Sequence, residues 1–167
     1  MRALFYKGMR MKETVFVSAC LLGLPCRYDG RSKPHQAIIA LSEHFHLVPI
    51  CPEQLGGLPT PRTPSEYNGK QVRMQDGRDV TAAFERGAES VLSLARILHP
   101  IGCILQDRSP SCGVGARYDG SFTRTLTEGD GVTAEHLCTA GIAVIGAEEA
   151  SHMTRDQLIR YFMSSER

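Results

Sequence analysis

Thr14-Val15-Phe16-Val17-Ser18-Ala19-Cys20 is the stretch on which the fold turns. β-Branched and aromatic residues fill Thr14 to Ser18, a run too short for a helix and apolar enough for a buried strand. A strand apolar on both sides needs cover on both sides, which a parallel sheet in an α/β protein receives. The rest of the chain supplies such cover. Pro34–Phe45 carries Ile38, Ile39, Leu41 and Phe45 at helical spacing behind an early proline, and Leu47–Ile50 is a second short apolar run. Asp79 is placed to cap a helix from Val80 to about Leu98, with Ala83, Phe84, Ala88, Val91, Leu92 and Ala95 on one face. Cys103–Gln106 reads as a third strand, Thr133–Ala140 as a short helix ended by Gly141, and Ile142–Ile145 as a fourth strand. Thr154-Arg155-Asp156-Gln157 has capping-box spacing ahead of Leu158, Ile159, Tyr161 and Phe162, a final helix over about 154–163. Strands that alternate with helices predict an α/β chain: a small Rossmann-like three-layer αβα fold with a mainly parallel sheet.

Length and composition agree. The 167 residues favour one domain, 1–167, and 42% hydrophobic residues exclude a disordered chain. Nineteen basic against eighteen acidic residues leave a formal charge of +1, so strong nucleic-acid binding through phosphates is not expected. No stretch approaches the ~18 apolar residues of a membrane helix. Arg2, Lys7, Arg10 and Lys12 precede Val17-Ser18-Ala19-Cys20, which looks like a bacterial lipoprotein cleavage box. A signal peptide needs roughly 7–15 apolar residues before its cleavage site, and here only Val15, Phe16 and Val17 separate Glu13-Thr14 from the box. The expected location is cytoplasmic. There the six cysteines are thiols, ligands or catalysts rather than bridges.

Two long connections, Cys51–Arg78 and Asp107–Gly131, exceed the usual loop length and are read as functional. Each contains a hairpin signal, at 72–78 and at 117–122. Arg-Tyr-Asp-Gly occurs at 27–30 and again at 117–120, which shared turn chemistry explains.

Ligands of open α/β sheets bind beyond the carboxyl ends of the strands. Cys20 follows the first strand, Cys51 the second, and Cys112 lies in the loop after the third, so three crossovers bring thiols to one edge. Buried cysteines are common as core residues, and Cys103 and Cys138 are read that way. Cys26 stays open, on a loop that reads as exposed. Paired Cys-x-x-Cys spacing is absent, which argues against a zinc ribbon or a thioredoxin-like pair. Iron–sulfur clusters draw cysteines from distant loops. Three thiolates would leave one iron of a cubane open, whereas four, with Cys26, would favour electron transfer or structure. Glu53 stands two residues past Cys51, and Ser109 and Ser111 flank Pro110 before Cys112. Near a cluster these become acid–base candidates; elsewhere they are loop and turn residues. Arg27, Arg62, Arg108 and Arg117 are candidates to orient an anion or carbonyl, although loop arginines are usually solvated.

Val17-Ser18-Ala19-Cys20-Leu21-Leu22-Gly23, Cys26-Arg27-Tyr28-Asp29-Gly30, Cys51-Pro52-Glu53, Gly56-Gly57-Leu58, Pro61-Arg62, Asp79-Val80-Thr81 and Arg108-Ser109-Pro110-Ser111-Cys112-Gly113 follow one another in an order that resembles the DUF523 family, which includes the thiouracil desulfidases. The similarity runs from about Val15 to Ile145. It implies a [4Fe-4S] cluster held by Cys20, Cys51 and Cys112 with its fourth iron open, and catalytic parts for Glu53 and Ser109. The implied reaction removes sulfur from a thiolated base or nucleoside, turning thiouracil into uracil and hydrogen sulfide without net redox change. No Gly-x-Gly-x-x-Gly fingerprint of a dinucleotide site is present, which agrees. Two other readings stand beside it: an enzyme that desulfurises or transfers sulfur on thiolated RNA, and a non-catalytic module that binds metal or sulfide.

Overall fold

The structure is a computed structural model that describes residues 12–164. Arg2, Lys7 and Arg10 of the basic start lie outside them. In chain order the elements are β1 (Glu13–Ser18), α1 (Gln36–Ala40), β2 (Phe45–Ile50), α2 (Pro52–Leu55), β3 (Ser65–Tyr67), β4 (Val72–Met74), α3 (Thr81–Leu98), β5 (Gly102–Leu105), β6 (Ala116–Tyr118), β7 (Leu126–Glu128), α4 (Val132–Thr139), β8 (Val144–Gly146), α5 (Ala147–Ala150) and α6 (Arg155–Met163). Short 3₁₀ turns cover Ala19–Leu22 and Leu41–Glu43.

The central sheet has the order β2-β1-β5-β8 with every pairing parallel. Val15 and Val17 face one side with Ile104 and Ile145, against Ile38, Ala150, Leu158 and Phe162 of the helices there. Phe16, Cys103, Leu105 and Val144 face the other, against Val91, Leu92 and Ala95 of α3 and Leu137 of α4. The expected three layers and parallel sheet are present. The chain steps from β1 to β2 on one side, then continues to β5 and β8 on the other. That reversal opens a crevice at the carboxyl ends of β1 and β5, where such folds bind ligands. Ser18 pairs with Ile50 in the β1–β2 register, so Cys20 and Cys51 leave the sheet at the same edge.

Several expected boundaries move. Pro34–Phe45 is not one helix: α1 ends at Ala40 and Phe45 pairs with Glu13 as the first residue of β2. Sheet pairing wins over helical spacing at Phe45, whose ring is buried in the core beside β1. Val80 takes the capping position of α3 without a side-chain bond, while the Asp79 carboxylate accepts the Thr81 N–H at 2.9 Å. The third and fourth strands are Gly102–Leu105 and Val144–Gly146, and α4 starts one residue early at Val132. The α6 capping box forms as its spacing predicts. Cys138 is a correction: it is exposed, because the neighbouring Leu137 turns into the core and Cys138 sits about 100° further round α4. The two four-residue helices α2 and α5 are too short to leave a periodic trace.

The Arg-Tyr-Asp-Gly copies do share turn chemistry. Asp29 accepts from the Arg31 N–H and Asp119 from the Ser121 N–H, each followed by a glycine at positive φ. Gly77 closes the turn expected at 72–78, with Arg73 bridged to Asp79, but the ladder of β4 runs to β3. The signal at 117–122 marks the β6–β7 hairpin, whose turn extends to Thr125. Among the described residues no helix is long and apolar enough to cross a membrane.

Gly56 and Gly87 let α2 lie directly on α3. A Cβ on Gly87 would overlap the Pro52 carbonyl, and one on Gly56 the Ala83 carbonyl. Gly→Ala inside a helix ordinarily stabilises by about 1 kcal/mol. Here the sign reverses, since overpacking costs typically 1–3 kcal/mol. Gly87→Ala is expected to lower Tm by a few degrees, roughly 2–4 °C per kcal/mol lost. A raised Tm in thermal unfolding would show that α2 does not depend on this contact.

Candidate functional site

A cavity of about 520 Å³ opens at that carboxyl edge. Cys20 reaches it from the turn after β1, Cys51 from the junction of β2 and α2, and Cys112 from the loop after β5. The three cysteines singled out by position therefore line one space. Cys103 does not: it is fully buried in β5 on the α3 side, a core residue as expected.

Cys26 is the fourth thiol of the cavity and only 4% exposed, not the surface residue its loop suggested. The loop folds back because Arg62 captures the Cys26 carbonyl through Nη2 at 3.1 Å. The Cys26 thiol lies beside those of Cys20 and Cys51, and the neighbouring Cys20 thiol is the main cause that pushes it up to about 11. The same contact with Cys26, with burial, raises Cys51, whose Sγ–H also points at the Cys26 carbonyl at 3.8 Å. Burial pushes Cys112 up to about 12. Raised in this way, Cys26, Cys51 and Cys112 favour the thiol over the thiolate, so a metal that binds them must displace protons.

The donor set is soft, with thiols gathered on one cavity and no histidine among the described residues that line it. Thiolates of this kind suit zinc or iron–sulfur groups. Among the described residues no three His, Cys, Asp or Glu side chains converge closely enough for a single ion. Thiols supplied by separate loops to one cavity suit a group with several metal atoms, each of which takes one thiolate.

Turn chemistry fixes the loop of Cys112. The Ser109 hydroxyl oxygen accepts the N–H of Ser111 at 3.1 Å and of Cys112 at 3.0 Å. Its own proton stays available, since a hydroxyl both accepts and donates. Ser111 turns the other way, into a buried hydroxyl pair with Thr133 at 2.8 Å, and pins the loop to α4. The structure thus separates two serines that look alike in sequence.

Glu53 projects from the first turn of α2 into the same cavity. Arg62 Nε donates to its Oε2 at 2.7 Å. The Arg62 side chain is 2% exposed and also donates to the Pro59 carbonyl and the Thr60 hydroxyl. Glu53 is therefore aimed by a buried guanidinium, and among the described residues no donor engages its Oε1. Of the loop arginines, Arg62 and Arg117 are buried rather than solvated, while Arg108 is exposed. Burial of an arginine in a loop leaves no periodic signal, so sequence reasoning could not sort them.

Over residues 15–149 the sequence matches the family model of 2-thiouracil desulfurase. It is 37% identical, over 81% of its length and 96% of the relative's, to the Bacillus subtilis (strain 168) protein YbbK, which is described as uncharacterized. The solved structure of the [4Fe-4S]-dependent thiouracil desulfidase TudS is similar at a TM-score of 0.78 and 41% identity, covering 92% of this chain and 97% of that one. Sequence, fold and an edge-on cluster of thiols agree, and the chain belongs to the 2-thiouracil desulfurase family.

Proposed function

We propose that this protein is a [4Fe-4S]-dependent desulfidase that hydrolyses the thiocarbonyl of a thiolated nucleobase or nucleoside, as in thiouracil to uracil and hydrogen sulfide. The observation that carries the reading is three loop cysteines around one cavity with the Arg62-anchored Glu53 among them. Cys20, Cys51 and Cys112 hold the cluster, which is the arrangement their separate loops favour. When bound, the cluster supplies a Lewis-acidic iron suited to a soft thiocarbonyl sulfur.

The chain's residues do the rest. Glu53 accepts a proton from water at its free Oε1 while Arg62 holds the other oxygen. The water oxygen then bonds to the thiocarbonyl carbon. As the carbon–sulfur bond breaks, the protons pass to sulfur, and Ser109 donates to the ring or relays one of them. Water enters, hydrogen sulfide leaves, and no electron is exchanged. The domain that does this spans 1–167, and a reducing cytoplasm suits its thiols. The charge of +1 favours a small substrate over RNA.

Anaerobic reconstitution followed by sulfide-release assays tests this. The expected result is about four irons and four sulfides per chain, with sulfide set free from 2- or 4-thiouracil. Release from thiolated tRNA alone would move the activity to RNA. Stoichiometric zinc without inorganic sulfide would leave a binding module and end the desulfidase reading.

A further inference from the structure

The roof of the cavity comes from the two hairpins, not from the sheet. They are bolted together in both directions. Arg117 of β6, 8% exposed, stacks on the Tyr67 ring at 4.7 Å and donates to the Tyr67 carbonyl, 3.1 Å, and the Glu128 carbonyl, 3.0 Å. In return, Oε2 of Glu66 in β3 accepts the N–H groups of Gly120 at 3.0 Å and Phe122 at 2.9 Å. Within the β6–β7 turn, Asp119, Ser121, Thr123 and Thr125 form a chain of side-chain hydrogen bonds.

This network holds two ordinary residues in the left-handed region, Phe122 at φ 59° and Arg124 at φ 63°. L-residues avoid that region, and such positions persist only where surrounding contacts over-determine them. Both residues line the cavity. Tyr28, Tyr118 and Phe122 supply its aromatic lining among the described residues. Tyr28 is exposed beside Arg27, and Phe122 alone of the three has a purely apolar ring. Planar heteroaromatic rings bind on such faces by offset stacking and loss of water.

We propose that Phe122 is the stacking wall for the planar ring of the substrate and that Glu66 is the positioning residue that holds it over the cavity. The inference rests on the reading of the cavity as a thiolated-base site. The roof then favours flat heteroaromatic thiocarbonyls over open-chain ones such as thioureas, which offer no ring to stack.

The test pairs binding of the unreactive product uracil, by equilibrium dialysis on the cluster-loaded protein, with KM and kcat for 2-thiouracil. Phe122→Ala is expected to raise uracil Kd and thiouracil KM together by roughly 5- to 150-fold, as loss of a base-stacking aromatic does, with kcat and iron content unchanged. Phe122→Leu, which keeps the apolar bulk, guards against loss of fold and falls between. Glu66→Ala reproduces most of the defect, whereas Glu66→Gln, whose amide oxygen still accepts both N–H groups, restores tight binding. Wild-type uracil affinity in both Phe122 variants, or in the wild-type protein no uracil binding at all, overturns the inference. A Glu66→Gln variant as weak as Glu66→Ala does so too, because the carboxylate charge would then be meeting the substrate directly. Weakened uracil binding in the variants, in a protein that releases no sulfide, would instead end only the desulfidase reading.

Discussion

Replacing Cys112 by serine is expected to yield a folded protein that retains little iron after anaerobic reconstitution and shows no sulfide release. Cys112 is buried at the cavity wall, on a loop pinned by Ser109 and by the Ser111–Thr133 pair. Serine keeps the loop's backbone bonds intact, so the change falls on the ligand and not on the fold. A hard hydroxyl is a poor substitute for a thiolate on iron that otherwise has sulfur ligands. The same result is expected for Cys20→Ser and Cys51→Ser, measured as iron and inorganic sulfide per chain. Cys138→Ser, on the exposed side of α4, should leave both at about four, the cubane stoichiometry. Cys26→Ser decides between three ligands and four, and the three-ligand reading expects the cluster to survive. Retained iron and activity in Cys112→Ser would remove Cys112 from the ligand set.

Glu53→Gln is expected to keep the cluster and lose turnover. Gln has the shape of Glu and can present its amide oxygen to Arg62 Nε, so the side chain stays in place. What disappears is the capacity to take a proton from water. A positioned general base contributes typically 10²–10⁴-fold, which sets the expected fall in kcat. Leaving the buried Arg62 without a counter-ion also costs stability, of order 1–3 kcal/mol. Activity should therefore be compared well below the variant's Tm, with iron content and visible absorption checked on the same sample. Full turnover with an intact cluster would assign the base elsewhere, with Ser109 the next group to replace.

The parts legible in the sequence are those with a local cause. The apolar run Val15–Val17, the α3 stripe and the α6 capping box each carry a periodic or capping signature, and all three form. Position relative to strand ends was enough to pick out Cys20, Cys51 and Cys112, because parallel sheets send their connections to one edge. What stayed hidden depends on distant partners. Cys26 is buried because Arg62, 36 residues on, draws its loop inward. Ser109 and Ser111 differ only in which neighbour, Cys112 or Thr133, lies within reach. Phe45 sits in a strand because Glu13 offers it a ladder partner. Glu66 shows no sign in sequence that it holds the turn at Gly120 and Phe122.

The division of labour between the sheet edge and the two hairpins has an evolutionary consequence. Cys20, Cys51 and Glu53 sit within a few residues of strand ends that the core dictates, and Cys112 on a loop that its own hydrogen bonds pin, where few alterations are tolerated. The covering surface belongs to insertions joined to each other mainly by Glu66 and Arg117. The hairpins, and with them the shape of the cavity mouth, can therefore change while the thiol-lined edge of the sheet is kept. Diversity within such a family should concentrate in 65–78 and 116–128, where new chemical diets can be acquired without rebuilding the centre.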